Sequence, residues 1–374
     1  MKKKIIFLLS AFILFSCSNI KPITLDDEFE IEKPYTLTLI ATGDNLFHET
    51  IIKTFKQGET YNFESIYSEV KDLIQNADIA FINQETVMAG EKFGYSGYPT
   101  FNTPQTLAQT LADTGFDIVN QANNHAMDMG KAGLLATLDL WETIEGITVL
   151  GARKSGDHHK IITKNNITLG FLSYAHSLNG IPLPADSPNL VSMNNKNKMA
   201  QEIDALRPLC DFLIVSMHWG DEYELVEPVK SQKDLAAFLA EHNVDLIIGH
   251  HPHVLQRVEK LPRPDGKETL CFYSLGNFVS NQIEKERILG ALMLVTFTKD
   301  TNAQTLSISD SGLIPVVCHF EQDYTNTKAY PLYSYNEELL EKHLLRRRDK
   351  NLNLAFFNSV VVRLDTKVIM QYPF

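Results

Sequence analysis

Residues 122–130 read ANNHAMDMG, and they come just after the apolar run DIV at 117–119. The stretch holds two amides, a histidine and an acid, at Asn123, Asn124, His125 and Asp128. A short apolar run bounded by turn residues predicts a buried strand, so these polar side chains are expected where that strand ends. Such a cluster points to binding or catalysis only if other strands of the protein end in the same way.

Four further predicted strands do end in this way. Each is followed by Asp, Glu, Asn or His, at 43–45 (GDN), 83–85 (NQE), 218–220 (HWG) and 249–253 (GHHPH). Ligands of open α/β sheets bind beyond the carboxyl ends of the strands, so all of these ends are expected to face one crevice. A single histidine in such a place is usually a capped loop residue. Five ends that carry the residue types that bind Zn, Mn or Fe predict a metal or catalytic centre.

The GHHPH stretch is the densest of these ends. His251 and His253 lie on either side of Pro252, which limits the freedom of the loop. Gly249 is expected to permit the turn that leads into it. His250 precedes the spaced pair, so it is given less weight as a ligand than His251.

Strands and helices alternate along the chain. Predicted helices span 103–115, 130–146 and 229–243, and predicted strands include 36–42, 78–83, 117–122 and 211–218. The first helix has Thr103 as its expected N-cap and Gly115 as its terminator. This order predicts an α/β fold with a largely buried sheet. Residues 177–195 contain three prolines and no periodicity, which is typical of a lid or binding loop.

The composition and net charge of the chain indicate which kinds of molecule it can bind. The chain has 374 residues, of which 44% are hydrophobic and 21% charged, as is ordinary for a globular protein with a full core. Its net charge is −12 at pH 7. Binding to nucleic acid depends on clustered Lys and Arg, so nucleic acid is not expected as a partner. The dense basic run from Arg346 to Arg348 lies beside acids and predicts a solvated helix face.

The first residues predict export. A positive start, MKKK, and the apolar run that follows predict a signal peptide at 1–16. Its last residues and Cys17, LFSC, resemble the lipobox of bacterial lipoproteins, which implies that Cys17 carries lipid and anchors the chain to the surface of the cytoplasmic or outer membrane. Secretion with Cys17 as a bystander is the alternative. Residues 17–34 are polar and acidic, and they are expected to tether the folded part outside the cytoplasm, close to the membrane.

The ordered motifs resemble those of a known family. GDN, NQET, FNTPQTLAQTLADTGFDIVNQANNHAMDMG, HWGDEYE, IIGHHPHVLQ and YSLGNF are similar to the motifs of the CapA family of capsule-assembly and poly-γ-glutamate biosynthesis proteins, over about residues 36–298. Their order also resembles that of the calcineurin-like metallophosphoesterases. The resemblance implies layered sheets flanked by helices, with strand-end loops forming the site, in a domain that spans 35–320. Residues 321–374 are expected to form a C-terminal extension packed on that domain.

The resemblance also implies a role for each strand-end residue. Its candidate ligands for one or two divalent ions, Mn, Zn or Fe, are Asp44, Glu85, Asn124, His218, His251 and His253. Glu85 takes the bridging place, and His125 contacts the oxyanion of a substrate. Two departures put one metal position in doubt. Leu46 stands where phosphoesterases have a histidine, with His48 displaced from it, and Glu85 replaces an aspartate.

Further residues near the motifs have two interpretations each. Asp128 either orients His125, as carboxylates around metal sites do, or is simply an acid at a helix N-terminus. Trp219 either packs against a substrate or caps the core. The remaining candidates for substrate binding are Asn45, Asn123 and Asn277. The histidines without a supporting motif, expected as surface or core residues, are His158, His159, His176 and His319.

Two functions remain open. The first is a metal-dependent hydrolase or transferase that acts on an anionic capsular or cell-wall polymer, with the metal polarising a carbonyl or phosphoryl oxygen. The second is a non-catalytic subunit that binds the polymer in a complex with capsule or poly-γ-glutamate synthase membrane proteins. The six ligand candidates favour catalysis, whereas Leu46 favours binding.

Overall fold

Two facing β-sheets form the centre of the molecule. The computed structural model describes residues 33–374. The predicted signal peptide at 1–16, Cys17 and the tether up to residue 32 lie outside the described residues. Residues 34–374 form one compact unit. No helix in this described part of the chain is both long enough and apolar enough to cross a membrane.

The strands of the described residues are β1 Tyr35–Asn45, β2 Lys56–Gln57, β3 Thr60–Tyr61, β4 Ile79–Gln84, β5 Ile118–Asn120, β6 Thr148–Leu150, β7 Lys160–Lys164, β8 Ile167–Ala175, β9 Phe212–His218, β10 Leu246–His250, β11 Val258–Pro262, β12 Glu268–Phe272, β13 Asn277–Val279, β14 Leu289–Asp300, β15 Thr305–His319 and β16 Lys328–Pro331. The α-helices are α1 Glu49–Thr54, α2 Lys71–Asn76, α3 Thr106–Thr114, α4 Gly130–Trp141, α5 Lys196–Leu206, α6 Lys230–Glu241, α7 Glu337–Lys342, α8 Leu344–Arg348 and α9 Leu354–Val361.

Each sheet contains four neighbouring parallel strands. The first sheet has the order β16-β15-β14-β1-β4-β5-β6, with β13 beside the end of β1. In it β1, β4, β5 and β6 are parallel. The second sheet has the order β11-β12-β10-β9-β8-β7, and β12, β10, β9 and β8 are parallel. The parallel strands of each sheet therefore deliver their carboxyl ends to one edge.

Side-chain alternation explains the layers. Leu39 and Ala41 of β1 pack with Ile214 of β9 in a core between the sheets. Ile40, on the other face of β1, packs instead with Leu107 of α3. Because both faces of β1 are covered in this way, its residues from Leu39 onward are continuously buried. The layered α/β architecture implied by the sequence motifs is confirmed.

One helix begins later than the sequence predicts. The N-cap of α3 is Gln105 and not Thr103, whose hydroxyl is instead 2.7 Å from the hydroxyl of Thr86. The end is as predicted, since Gly115 adopts a left-handed conformation with φ of 111°. Tertiary contact of the threonine therefore outweighs its local capping preference.

The C-terminal residues pack on the first sheet. Leu340 and Leu344 share a buried cluster with Val317 of β15. The backbone N–H of Leu344 donates to the carbonyl oxygen of Phe320 over 2.9 Å. Residues after β16 thus add apolar contacts to the core that lies between the sheets.

Candidate metal centre

Both sheets contribute side chains to one buried cluster at their carboxyl ends. The first sheet brings Asp44 at the end of β1, Glu85 after β4 and Asn124 after β5. The second brings His218 at the end of β9 and, after β10, His251 and His253. All six side chains are at least 94% buried, and Asp44, Glu85 and His218 expose no surface. The structure therefore brings together every residue that the sequence suggested as a ligand.

Glu85 lies at the middle of this cluster. Ligand atoms of Glu85, His251 and His253 lie within 4.8 Å of one another, and so do those of Asp44, Glu85 and His218. Glu85 Oε1 is 3.5 Å from His218 Nε2 and 3.6 Å from His253 Nε2. The two sets of three ligands share Glu85, which is the arrangement expected of a carboxylate that bridges two positions.

Asp44 and Asn124 complete the cluster. His253 Nδ1 is 3.1 Å from Asp44 Oδ2. Asn124 Oδ1 is 2.8 Å from His218 Nε2. Each therefore presents an oxygen to an imidazole contributed by the other sheet.

Burial shifts the pKa values of the cluster strongly. Burial would raise the pKa of Asp44, but the neighbouring imidazoles of His250 and His253 outweigh it and hold that pKa well below its usual value. For Glu85, burial and then the charge of Asp44 raise the pKa well above its usual value. Burial lowers the pKa of His218 well below its usual value and that of His251 to about 2. The last two imidazoles are therefore neutral, the form that binds metal.

The donor set fits a divalent cation. Both oxygens of Glu85 are buried and have no hydrogen-bond partner among the described residues, and the same holds for Nδ1 of His218 and of His251. Buried polar atoms without partners are costly, and a carboxylate is the costliest of them. Carboxylate, amide and imidazole donors are those that Zn, Mn and Fe accept. The cluster is thus compatible with a bound divalent metal.

The histidine loop has an unusual backbone. His251 and His253 have φ angles of 97° and 58°, a region that non-glycine residues seldom adopt. The expectation that Gly249 permits this turn is wrong, because Gly249 lies inside β10. A Cβ at Gly249 would be 1.9 Å from the carbonyl oxygen of Tyr273, so the glycine allows two backbones to approach closely. The unfavourable backbone conformation of the loop is therefore located at the ligand residues His251 and His253.

His125 and Asp128 form a pair beside the cluster. His125 Nδ1 is 2.8 Å from Asp128 Oδ2, which also accepts the backbone N–H of Phe101 over 2.6 Å. Phe101 packs edge-on against the His125 ring at 4.6 Å. Asp128 thus orients His125, as one of the two sequence interpretations states. The pair lines a pocket of about 460 Å³ whose wall also includes Leu46, His48, Tyr98, Tyr223 and His253.

The candidates for substrate binding lie below the pocket. Asn45 is fully buried, donates to Gln84 Oε1 over 2.7 Å and accepts from the Tyr67 hydroxyl over 3.0 Å. Asn123 accepts the backbone N–H of His125 over 3.1 Å and donates to the Gln84 carbonyl over 3.0 Å. Both amides are therefore used inside the protein, where they hold the ligand loops in place.

Trp219 and Asn277 are also turned inward. Trp219 is 1% exposed, packs in the core beneath the second sheet and donates its indole N–H to the Tyr273 carbonyl over 2.9 Å. This geometry matches the interpretation of Trp219 as a core residue. Asn277 Oδ1 is 3.0 Å from His253 Nδ1, so Asn277 orients a ligand.

Sequence reasoning missed several residues of the site. His176 packs 4.6 Å from the His251 ring, and its Nδ1 is 2.9 Å from the His218 carbonyl oxygen. Asn179 accepts from Asn124 Nδ2 over 3.3 Å. His176 directly follows β8, so the strand-end rule could have found it. Asn179 belongs to the long loop at 177–195, whose sequence alone does not indicate which residue reaches the site.

Three comparisons place these features among known proteins. A family model described as bacterial capsule synthesis protein PGA_cap matches residues 38–282. The PGA biosynthesis protein CapA of Bacillus subtilis (strain 168) is 31% identical over 242 residues, which cover 61% of this chain and 60% of that protein. The capsule biosynthesis protein CapA of Bacillus anthracis is 28% identical over 259 residues, 66% of this chain and 60% of that protein. This chain therefore spans about 60% of the length of these curated relatives.

Among solved structures, the calcineurin-like phosphoesterase YfkN of Bacillus subtilis is similar with a TM-score of 0.44 and 13% sequence identity. The alignment covers 87% of this chain and 100% of that one.

Proposed function

Because the chain belongs to the bacterial capsule synthesis protein PGA_cap family, we propose that it serves the synthesis or export of a capsular or poly-γ-glutamate polymer. The names of its two Bacillus relatives, which refer to PGA and capsule biosynthesis, support this role. The polymer is anionic, and the partners are the membrane proteins that make or export it. The role is assigned to the matched region, residues 38–282, which contains all six ligand candidates.

Within that role the chain is a metal-dependent hydrolase or transferase. The observation that carries this proposal is Glu85, a buried carboxylate that two sets of ligands share and that has no hydrogen-bond partner within residues 33–374. The sets suit one or two divalent ions of Mn, Zn or Fe. Such an ion supplies a Lewis acid that stabilises negative charge on a carbonyl or phosphoryl oxygen and makes water a better nucleophile.

The chain's own residues prepare the substrate. Asp128 holds His125 through Nδ1, which leaves Nε2 of the ring for a hydrogen bond to negative charge that develops on the substrate. Phe101 and Leu46 line the pocket beside it and exclude water from the reacting group. The exposed ring of Tyr98 at the pocket rim offers a surface for the neighbouring part of the polymer.

Two variants separate binding of the ion from catalysis. His251→Ala should lose metal content and turnover together, because it removes a ligand. His125→Ala should keep metal content and thermal stability while turnover falls by about 10²–10³, the usual cost of one donor to developing charge. Metal content is measured by elemental analysis, and turnover with a model phosphodiester and with a γ-glutamyl peptide.

A binding role is the second candidate, and Leu46 favours it. This apolar residue is 2% exposed and lines the pocket at the position where the resembled phosphoesterases carry a histidine. If the metal-loaded wild type hydrolyses neither substrate while His125→Ala still abolishes polymer production in cells, the catalytic proposal fails and polymer binding replaces it.

We also propose that the chain works outside the cytoplasm as a lipoprotein. Support comes from the sequence MKKK, the apolar run and the LFSC ending at Cys17. Cys17→Ser should release the protein from membranes in fractionated cells. A variant that remains membrane-bound with the electrophoretic mobility of the wild type would contradict the anchor.

A further inference from the structure

A line of hydrogen-bonded side chains runs from the metal centre to the second sheet. Asn83 Nδ2 donates to Asp44 Oδ1 over 2.8 Å, and Asn120 Nδ2 donates to Asn83 Oδ1 over 2.9 Å. The Ser173 hydroxyl, on β8 of the second sheet, donates to Asn120 Oδ1 over 2.6 Å. None of these four side chains exposes any surface. We call Asn83, Asn120 and Ser173 the inter-sheet ladder.

Strand register places the ladder under the site. Asp44 and Asn83 are paired residues of the parallel strands β1 and β4, and Asn83 and Asn120 are paired residues of β4 and β5. Side chains of paired residues lie side by side on one face of a sheet. This face is the one turned to the second sheet, because Ser173 meets Asn120 there. The ladder thus crosses the space between the sheets directly below their ligand loops.

Two groups with a single possible role set the direction of the bonds in the ladder: the backbone N–H of Ala122, which can only donate, and the Asp44 carboxylate, which can only accept. Asn120 Oδ1 accepts both the Ser173 hydroxyl and the backbone N–H of Ala122, the latter over 3.2 Å. Its amide nitrogen must therefore point to Asn83, whose oxygen accepts it. The amide nitrogen of Asn83 is then left for Asp44, and an ionised carboxylate can only accept hydrogen bonds. Each bond in the line fixes the orientation of the next one.

We propose that the inter-sheet ladder consists of positioning residues that hold Asp44 as a ligand and set the spacing between the two halves of the metal centre. The proposal rests on the metal-dependent function proposed above. Asp44 Oδ1 is held by Asn83, while Asp44 Oδ2 accepts the backbone N–H of His251 over 3.3 Å. One carboxylate thereby joins the ladder to the histidine loop of the second sheet. Substitution of groups that orient metal ligands in this way typically lowers metal affinity by roughly 10–100-fold.

Ser216 provides a matched control. It is the paired residue of Ser173 on the neighbouring strand β9 and is 1% exposed. Its hydroxyl has no hydrogen-bond partner among the described residues. Ser216→Ala and Ser173→Ala therefore remove the same atom at similar burial on adjacent strands, and only Ser173→Ala breaks the ladder.

The test titrates the metal-free full chain with Co²⁺ and follows visible absorption, which reports both affinity and ligand geometry. Asn83→Ala should weaken Co²⁺ binding by roughly 10–100-fold. Ser173→Ala should weaken it by a smaller, measurable factor and change the absorption spectrum. Ser216→Ala should bind like the wild type. Thermal unfolding of the metal-free variants shows that each is folded, and Ser173→Ala carries the test if Asn83→Ala does not fold.

Asn120→Asp adds a test of direction. An ionised aspartate at this position can only accept, so above its pKa the Asn83 amide must turn its nitrogen towards it and its oxygen towards Asp44. Co²⁺ affinity should therefore fall although the side chain keeps its size.

Equal affinity and spectra for the wild type, Asn83→Ala and Ser173→Ala overturn the ladder proposal and leave the metal centre standing. An equal loss in Ser216→Ala and Ser173→Ala also overturns it, because the effect is then one of core packing. A wild type that binds no Co²⁺ overturns the metal centre itself, and the role of the ladder with it.

Discussion

Two regions of the molecule bury histidines in different ways. In the C-terminal cluster, defined here as His319, Tyr335 and His343, the hydrogen bonds of the imidazoles are made with neutral groups, and the carboxylate of Glu321, 3.7 Å from His319 Nε2, is partly exposed to solvent. His319 Nδ1 is 2.8 Å from the Tyr335 hydroxyl, and His343 Nδ1 accepts the backbone N–H of Leu345 over 3.1 Å. In the metal centre, the imidazoles lie instead beside Glu85, a fully buried carboxylate with no hydrogen-bond partner in the part of the chain that the structure describes.

The comparison shows which observation marks a site. Burial lowers the pKa of His319 to about 4 and that of His343 to about 3, much as it lowers that of His251. A depressed histidine pKa therefore accompanies burial in both regions and does not distinguish them. What distinguishes the metal centre is the pair of fully buried carboxylates, Asp44 and Glu85, among its imidazoles. Burying two carboxylates together is costly unless a cation or a proton neutralises part of their charge.

The largest expected effect tests that distinction at Glu85. Glu85→Gln keeps the shape of the side chain and removes its charge, so metal affinity should fall by more than about 100-fold. Metal at 100 times its dissociation constant stabilises the wild type by about 2.7 kcal/mol, and the variant should gain almost none of this. The metal-free stability should change by less than about 1 kcal/mol, because burial already disfavours the charged form.

Thermal unfolding with and without added metal measures both quantities. If metal stabilises Glu85→Gln as much as the wild type, Glu85 is not a metal ligand, and its burial does not distinguish the metal centre from the C-terminal cluster.

The next effect is acid sensitivity of the C-terminal cluster. The folded pKa of His343 is about 3 and the unfolded pKa about 6.5, so its neutral form is favoured by folding. The contribution of neutral His343 to the free energy of unfolding is fully present above pH 6.5 and is lost as the pH falls towards the folded pKa. At pH 4.5 the loss from this group is about 2–3 kcal/mol. His343→Gln does not titrate, so its stability should fall less between pH 7 and pH 4.5, as measured by urea unfolding.

The same variant should bind metal like the wild type at pH 7. An equal acid sensitivity of His343→Gln and the wild type would show that other groups dominate acid unfolding.

A smaller effect is expected at Trp219, which follows the ligand His218 but, unlike Glu85, has a hydrogen-bond partner for its polar atom. Trp219→Phe removes the hydrogen bond to Tyr273 and part of the core volume, so stability should fall by about 1–3 kcal/mol. KM for any polymer substrate should stay unchanged. A raised KM with an unchanged free energy of unfolding would show that Trp219 binds the substrate.

The smallest effect on stability is expected at the pocket rim. Tyr98 is 79% exposed, so Tyr98→Ala should change stability by no more than about 0.5 kcal/mol. If the rim contacts the polymer, KM should rise while kcat and metal content hold. Phe374→Ala, at an exposed aromatic residue outside the pocket lining, is the control. An unchanged KM in Tyr98→Ala would limit recognition to the buried part of the pocket.

Much of the fold and of the ligand set could be predicted from the sequence. Apolar runs alternating with helices indicate parallel strands, and parallel strands bring their ends to one edge wherever they pair. Asp44, Glu85 and Asn124 could therefore be assigned to one place without knowledge of the packing. Their chemistry follows from residue type, as does that of the histidines.

The direction in which a neighbouring side chain points was decided by the tertiary structure. Asn45 and Asn123 stand in the same motifs as the ligands, yet their amides face Gln84. Asn45 does so because successive side chains of the extended strand β1 point to opposite sides, and Asn123 because it lies in the bend that follows β5. His176 and Asn179 join the site only because β8 packs next to β9 and its following loop returns across the pocket. The sequence by itself determined which residue types stand at the strand ends. Only the packing of two sheets decided that Ser173 meets Asn120, 53 residues away, since such a contact depends on the placement of separate elements and not on any local pattern.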